Sequence, residues 1–317
     1  MKKLLFIGLA ATAMLASCSN DETVEMAQQN AIGFEGFVDR STRATVNDDI
    51  TLNNLGSIEV YGWRGDAQIF NKQKVDVAKN GTGTYSPVQY WEAGYTYNFE
   101  AISPKHEENR VSFTAAKTGG TISFVNDAKT DLIYSRVAPI VMGESIAAKP
   151  ESVSFTFGHL LSRVKFTFVN GFPANAAAKI SVTNVKITNA HKNGSITPAT
   201  SDVWTASENN LEVDFANVSA TDIKAGNNKG ETEHMYLIPV ASPSYTVTFI
   251  VTLNQNGATT DYEHTVTIST GMEKGKSYNF TATLTPENVD PNNTMYPIEF
   301  KASVDSWEEF KQSDITL

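Results

Sequence analysis

Side chains that could carry out catalysis are few in this chain of 317 residues. The sequence holds no phosphate-binding loop, no G-x-S-x-G nucleophile motif and no C-x-x-C or H-E-x-x-H metal motif. His106 stands beside Glu107 and Glu108, but neighbouring residues of a loop seldom converge on one metal ion. His159 has no nucleophile motif beside it, so we interpret it as a hydrogen-bonded structural residue. The sequence predicts no enzyme, no cofactor and no metal site, although the two distant carboxylates of a glycosidase would leave no motif.

Cys18, the one cysteine of the chain, is the residue best placed for covalent modification. Two lysines precede an apolar run over residues 4–15, which is too short to span a membrane and is typical of a secretory signal. The run ends in the sequence LASC, which resembles a lipobox. That resemblance implies cleavage before Cys18, a diacylglycerol on its thiol and anchoring through acyl chains. We therefore predict a signal peptide over 1–17 and a polar tether over 18–30.

Two arginines, Arg40 and Arg43, follow a candidate first strand over residues 31–38. One face of that strand carries Ile32, Phe34 and Val38. The next segment, 39–45, is polar and short, and exposed segments of this kind are where proteases cut. The two arginines are either solvated loop charges or sites of proteolytic processing.

Most of the remaining sequence predicts β-strands separated by turns. Apolar residues make up 41% of the chain and charged residues 19%, which is sufficient for packed cores. Alternation with a period of two recurs, and no helical stripe is seen beyond the leader. The Asn193-Gly194 and Asn256-Gly257 pairs predict hairpin turns. The net charge is −10, or −12 without the leader, and this acidic balance argues against a nucleic-acid partner.

Two strand patterns meet between residues 152 and 169. Val153, Phe155 and Phe157 alternate with hydroxyl side chains, Gly158 interrupts, and the pattern resumes at Val164, Phe166 and Phe168. The chain length suggests two domains of roughly 150 residues. We therefore predict an N-terminal β-domain over 31–150 and a C-terminal β-domain over 151–317.

A short internal repeat supports two related halves. Residues 92–101 and 273–282 match at six of ten positions. Each copy has a glycine, suited to a turn, followed by a tyrosine and a phenylalanine two residues apart on one face of a strand. The repeat predicts that Tyr97 and Phe99 occupy a strand equivalent to that of Tyr278 and Phe280.

The central stretch also resembles a known family. It contains an F-x-F-x-H-x-L-S-R-V-x-F arrangement, formed by Phe155, Phe157, His159, Leu161, Ser162, Arg163, Val164 and Phe166. A D-L-x-Y sequence lies at 131–134, and a last alternating segment over 298–304 leads to Trp307. These features resemble the fimbrillin-like lipoproteins of Bacteroides and relatives. The resemblance implies an all-β chain of two tandem transthyretin-like β-sandwich domains.

The family resemblance also implies a function. The chain would be a structural or adhesive subunit of a cell-surface fimbria (pilus), exported as an outer-membrane lipoprotein acylated at Cys18. An arginine-directed protease would cut after Arg40 or Arg43 and remove the leading strand. A strand from a neighbouring subunit would then fill the groove by β-augmentation. The implied partners are other fimbrial subunits, the outer membrane and a host or bacterial surface receptor, with residues 308–317 as the candidate donor strand.

An alternative is a monomeric glycan-binding surface lipoprotein, and a third reading is an accessory domain of a glycoside hydrolase. Sugars would stack on aromatic side chains, for which the candidates are Tyr61, Trp63, Tyr90, Trp91, Tyr95 and Tyr97. Three or more exposed coplanar rings would favour glycan binding, whereas buried rings would favour the fimbrial subunit. The Arg64-Gly65-Asp66 sequence spells an adhesion tripeptide, but a hairpin turn is the favoured interpretation.

Overall fold

The computed structural model describes residues 30–35, 55–104, 110–217, 219–292 and 295–307, and these ranges are almost entirely β-structure. One short 3-10 helix, Ile146–Ala148, lies among them, and no helix within them is long and apolar enough to cross a membrane. Before residue 160 the strands are β1 (Phe34–Glu35), β2 (Ser57–Arg64), β3 (Ala67–Val77), β4 (Gly83–Thr84), β5 (Thr96–Ser103), β6 (Val111–Thr114), β7 (Thr121–Val125), β8 (Ile133–Val141), β9 (Val153–Ser154) and β10 (Gly158–His159). After it they are β11 (Ser162–Asn170), β12 (Ala178–Ala190), β13 (Asn193–Ile196), β14 (Thr205–Ser207), β15 (Leu211–Phe215), β16 (Ile223–Lys224), β17 (Asn228–Glu231), β18 (Met235–Leu237), β19 (Tyr245–Gln255), β20 (Ala258–Ile268), β21 (Lys276–Leu284) and β22 (Lys301–Ser306). The predicted all-β fold is confirmed.

The N-terminal half is organised around one eight-stranded sheet, with the order β10-β8-β5-β2-β3-β4-β1-β9. Its outermost strands are joined through residues 155–157, a link that spans at most about 14 Å. A flat sheet of eight strands would separate its edges by about 34 Å, so this sheet curls round its own core. That core includes Ile32, Phe34, Ile58, Val60, Phe70, Val75, Tyr97, Phe99, Val153, Phe155 and Phe157. The predicted apolar face of the central stretch is therefore buried here.

A second layer covers the outer face of this sheet. Strands β2 and β5 are buried on both faces, because a four-stranded sheet of order β14-β13-β7-β6 packs against them. The rings of Tyr61 and Phe113, from β2 and β6, make contact across the layers, with centroids 4.6 Å apart. Strand β13 lies beyond residue 150 yet pairs with β7, before it, and β14 extends this sheet by pairing with β13. The domain boundary at residue 150 therefore stays a prediction.

Two sheets face each other in the C-terminal half, which gives the predicted sandwich architecture. One has the order β17-β11-β21-β22 with β18 beside β11, and the other the order β15-β12-β19-β20 with β16 beside β12. Strand β11 runs parallel to β21, from Arg163↔Ser277 to Asn170↔Leu284. The core between the sheets includes Val164, Phe166, Phe168, Ile180, Val182, Ile187, Val247, Phe249, Val251, Tyr278 and Phe280.

The internal repeat has the same local geometry in both halves. The Glu92 N–H donates to the Tyr97 hydroxyl at 2.7 Å, and the Glu273 N–H donates to the Tyr278 hydroxyl at 2.8 Å. Both repeat glycines have a positive φ, 79° and 67°, which other residues adopt only with strain. The sheet surroundings differ, since β5 has two antiparallel neighbours whereas β21 has one parallel and one antiparallel neighbour. The similarity between the two halves is thus limited to this local motif and does not include the neighbouring strands.

One of the two predicted hairpin turns was wrong. Asn256 and Gly257 form the predicted turn between β19 and β20, but Asn193 and Gly194 lie inside β13. A Cβ at residue 194 would stand 2.9 Å from a ring carbon of Trp204, so this glycine serves close packing. Along the alternating segment 298–304, Ile298 is buried and Phe300 packs against the C-terminal core, whereas all six residues of β22, which include Ala302 and Val304, are exposed.

Candidate assembly site

Strand β1 is inserted between two other strands, so it has a partner on each side. Phe34 lies opposite Gly83 of β4 in an antiparallel pair and beside Val153 of β9 in a parallel pair. The Val153 N–H donates to the Gly33 carbonyl at 2.8 Å. A short strand that is paired on both sides cannot leave without exposing backbone groups of both neighbours.

The residues before β1 are held by a third segment. The Ile32 N–H donates to the Gln89 carbonyl at 2.8 Å, and the Trp91 N–H donates to the Asn30 carbonyl at 2.9 Å. The Tyr85 hydroxyl donates to the Ile32 carbonyl at 2.7 Å. Burial raises the pKa of Tyr85, so its hydroxyl keeps its proton and remains a donor at neutral pH. The backbone of the N-terminal segment is therefore satisfied by protein groups on both sides.

The side chains of this segment are deeply buried. Ile32 is 1% exposed and Phe34 is fully buried, as the alternation predicted. Four aromatic rings have centroids within 5.3 to 6.1 Å of the Phe34 ring: Tyr85, Phe70, Phe155 and Phe99. Most of these contacts are edge-on or tilted, the arrangements that aromatic quadrupoles favour. Phe34 thus fills an aromatic pocket in the core of the large sheet.

Gly83 is fitted closely to the inserted strand. A Cβ at residue 83 would lie 3.0 Å from the Phe34 Cβ and 2.8 Å from the Val75 Cγ1. Real Cβ atoms essentially never come closer than 3.0 Å to another atom, so Val75 would have to shift, and the contact with Phe34 would be tight. The absence of a side chain on β4 therefore lets β1 lie against it.

The predicted modification and processing residues lie outside the described ranges. Cys18, Arg40 and Arg43 belong to this group, as do Val38 and the tail 308–317. Residues 36–54 connect β1 to the rest of the large sheet, so both arginines stand in the sequence between β1 and β2. His106, Glu107 and Glu108 also lie outside, and the described residues contain no group of three potential metal ligands.

His159 is a structural residue, as expected. It is buried, and its Nδ1 lies 3.1 Å from Oδ1 and 2.9 Å from Oδ2 of Asp131. Its ring stacks on Trp307, with centroids 3.8 Å apart. Asp131 and Trp307 belong to the segments that carried the family resemblance, so three signature positions meet at one place. This cluster ties the end of β22 to the seam between the large sheet and the C-terminal sheets.

The aromatic residues proposed for sugar stacking are mostly in the core. Tyr61, Trp63, Trp91 and Tyr97 are buried, whereas Tyr90 and Tyr95 are 44% and 43% exposed. The guanidinium of Arg64 lies over the Tyr95 ring at 5.4 Å, which occupies one face of that ring. Two exposed rings fall short of the three that would favour a glycan platform.

The Arg64-Gly65-Asp66 sequence lies at the turn between β2 and β3, where Gly65 has a φ of +59°. Lys117 donates to Asp66 at 2.8 Å, and this hydrogen bond lowers the pKa of the Asp66 carboxyl. The tripeptide is thus a hairpin turn whose acid has a partner within the chain.

Sequence reasoning missed a buried acid, Glu100, on the outer face of the large sheet. Its carboxylate accepts hydrogen bonds from the Gly120 N–H and the Tyr134 hydroxyl, each at 3.1 Å. Arg136 Nε lies 3.7 Å from it. Burial outweighs these contacts and raises the pKa of Glu100. The signal was its position between Phe99 and Ala101, where one charge interrupts an apolar strand.

Comparison with known proteins agrees with this architecture. A family model described as fimbrillin-like matches residues 42–307. A candidate cell adhesion protein from Bacteroides uniformis is 18% identical, with a TM-score of 0.50 over 88% of this chain and 98% of its own. Another from Bacteroides ovatus is 13% identical, with a TM-score of 0.51 over the same shares. The fimbrial anchor protein Mfa2 from Porphyromonas gingivalis aligns at 11% identity over 89% of this chain and 100% of its own, with a TM-score of 0.37. No curated protein matches the chain.

The two structures from Bacteroides show a shared fold, and the family match extends over well more than half of the sequence. The matched range includes Asp131, His159 and Trp307, the cluster at the seam. The chain therefore belongs to the fimbrillin-like family and is a fimbrial or adhesin-type protein of the cell surface.

Proposed function

We propose that this chain is a structural or adhesive fimbrial subunit, exported as an outer-membrane lipoprotein and assembled by exchange of its N-terminal strand. Strand β1 is the observation that carries the proposal. It is inserted between β4 and β9, with Ile32 and Phe34 buried, and it precedes the segment that holds Arg40 and Arg43. Association with other fimbrial subunits is what the family itself suggests.

Removal of β1 would leave a slot suited to another strand. Strands β4 and β9 would each lose a neighbour, and the pocket now filled by Phe34 would open to solvent. An incoming strand with large apolar residues at alternate positions would restore both the backbone hydrogen bonds and the buried surface. Because Gly83 has no side chain, the slot has room for a strand that lies close against β4.

The first strand does not leave spontaneously. Burial of Ile32 and Phe34 contributes about 1.5–3 kcal/mol each, before the backbone hydrogen bonds are counted. Proteolysis after Arg40 or Arg43 would cut the covalent link, and a competing strand would then displace β1. Residues 308–317 are the proposed donor, but Phe310, Ile315 and Leu317 do not alternate strictly. This favours an anchor or tip subunit over a stalk subunit.

The central experiment replaces both processing arginines. The Arg40→Ala/Arg43→Ala variant should keep its first strand, by N-terminal sequencing of surface protein, and form no fibres by electron microscopy. The matched control, Arg40→Lys/Arg43→Lys, keeps both charges but removes the arginines, and it should be blocked as well. Normal fibres from the Ala variant would refute cleavage at this segment. Normal fibres from the Lys variant alone would show that the charges matter and that arginine-directed cleavage is wrong.

The donor and the anchor are tested separately. If deletion of residues 308–317 leaves fibre formation unchanged, the chain accepts a strand without donating one and takes a terminal position in the fibre. If the deletion stops fibre growth, the tail is the donor strand. Cys18→Ala should abolish incorporation of labelled lipid and release the protein from the membrane, because no other thiol is present. Normal lipid labelling of that variant would refute acylation at Cys18.

A further inference from the structure

Among the residues that the structure describes, strand β22 lies at the edge of its sheet, with β21 on one side. The Trp307 N–H continues this pairing by donating to the Gly275 carbonyl at 2.8 Å. Backbone groups of successive residues in a strand point to alternate sides. The odd-numbered residues of β22 therefore direct their N–H and C=O groups to β21. Ala302, Val304 and Ser306 direct theirs outward, where they can pair with another strand.

The side chains of β22 form a self-complementary pattern. Lys301, Ala302, Ser303, Val304 and Asp305 are all exposed, and their charges are of opposite sign at equal distances from the central serine. We propose that β22 pairs antiparallel with β22 of a second copy of this chain, centred on Ser303, to form a two-fold symmetric dimer. Such an isologous contact places the same edge on both sides of the interface.

The backbone and the side chains agree on this register. Ala302 of one copy lies opposite Val304 of the other, and both direct their backbone groups outward, so each such pair exchanges two hydrogen bonds. The symmetry gives two of these pairs. Lys301 lies opposite Asp305 of the second copy at a non-hydrogen-bonded position, where side chains come closest. Centring the pairing on Ala302 or on Val304 instead would oppose neither lysine to an aspartate.

The edge at β20 shows what such self-pairing requires. Strand β20 is longer than β22, and it also ends its sheet. Its central residues include Asp261 and Glu263, so antiparallel pairing about its middle would oppose acids to acids. Like charges directly opposite each other destabilise a ladder, and edge charges commonly protect a sheet from association. At β22 the edge charges have the opposite effect, because Lys301 and Asp305 attract each other when the strand pairs with a second copy of itself.

Charge exchange provides the test. All samples carry Cys18→Ser so that a thiol cannot cross-link two copies, and association is measured by sedimentation velocity over a concentration series. The unaltered edge should form a weak, concentration-dependent dimer. Lys301→Asp and Asp305→Lys should each weaken it by about tenfold or more, because like charges then face each other. An equimolar mixture of these two variants should associate again, since each lysine in the mixed pair faces an aspartate.

Two further variants separate the edge from the rest of the surface. Val304→Pro removes an outward N–H and leaves the bonds to β21 intact, so it should abolish the dimer without unfolding the chain. Glu263→Lys, at the β20 edge, should leave the dimer unchanged. A monomeric parent chain at its highest monodisperse concentration would overturn the proposal. So would a mixture of the two charge variants that stays monomeric, or a dimer that survives Val304→Pro.

Discussion

Strands β1 and β22 lie near opposite ends of the described chain, and each belongs to a segment with apolar residues at alternate positions. Strand β1 contributes two residues to its ladders, yet it has a neighbour on each side, and Phe34 is fully buried. Strand β22 contributes six residues to its ladder with β21, its one neighbour in the described part of the chain, and all six side chains are exposed. Of these two strands, the one with the longer pairing is thus the one with exposed side chains.

The difference shows that alternation marks a strand but does not decide its burial. Val304 lies opposite Tyr278, so both side chains point to the same face of the sheet. Tyr278 is buried, whereas Val304 is 50% exposed, so the covering layer ends between β21 and β22. Strand β1 is kept in place mainly by side-chain packing, whereas β22 is kept in place by backbone hydrogen bonds to β21 and by Trp307.

The largest expected effect comes from emptying the aromatic pocket. Phe34→Ala should lower the free energy of unfolding by about 3–5 kcal/mol, because the ring leaves a cavity among four aromatic side chains. Urea titration followed by tryptophan fluorescence measures this loss. Val304→Ala, the control on β22, should change stability by about 0.5 kcal/mol or less. Equal losses of stability in the two variants would show that burial does not distinguish β1 from β22.

Adding a side chain to β4 should also destabilise the packing around β1, by overfilling the space beside it rather than by emptying the pocket. Gly83→Ala places a Cβ against Phe34 and Val75 and should cost about 1–3 kcal/mol through overpacking. Gly143→Ala is the control, since nothing lies within 4 Å of its added Cβ, and it should cost about 0.5 kcal/mol or less. The cost of Gly83→Ala should shrink in protein from which the first strand has been removed. An unchanged cost there would mean that the close fit to β1 is irrelevant.

Local patterns predicted much of this structure. The alternation of Val153, Phe155 and Phe157 predicted their burial, and the Asn256-Gly257 pair predicted its hairpin. Pairing between β13 and β7 had no signal, because strands that are distant in sequence leave no local pattern when they pair. Gly194 misled the prediction for the same reason, since Trp204 and Ile238, which require its small size, come from other segments.

The candidate site was predictable in the same partial way. The burial of Ile32 and Phe34 followed from their spacing. Their neighbours did not, because Gly83 and Val153 flank β1 through a curled sheet whose closure depends on many segments. The exposure of Val304 also escaped prediction, since it depends on where the opposite sheet ends and not on β22 itself.

The repeated tyrosines should show a smaller and symmetrical effect. Tyr97 lies in the core that holds β1, and Tyr278 lies opposite Val304 of β22. Tyr97→Phe and Tyr278→Phe each remove the acceptor of one glutamate N–H, at a cost of about 0.5–1.5 kcal/mol. Similar losses in urea titrations would show that the local motif is equivalent in both halves. A loss of stability in only one variant would show that the two copies of the motif differ in strength. The difference between the halves would then lie in the motif and not in β1 and β22.

The smallest expected effect is that of a change at Val304, which is measured against the same change at Val153. Val304→Thr exchanges a methyl group for a hydroxyl that reaches solvent, so the free energy of unfolding should change by about 0.5 kcal/mol or less. Val153→Thr makes the same exchange beside β1, where the residue is 1% exposed, and a buried hydroxyl without a partner costs about 1–3 kcal/mol. Valine and threonine have nearly the same volume and β-propensity. The ratio of the two losses in free energy of unfolding therefore reports how fully each position is covered by the opposite layer. Losses of the same size at both positions would mean that β22 is covered in solution, and the exposed edge assigned to it would be wrong.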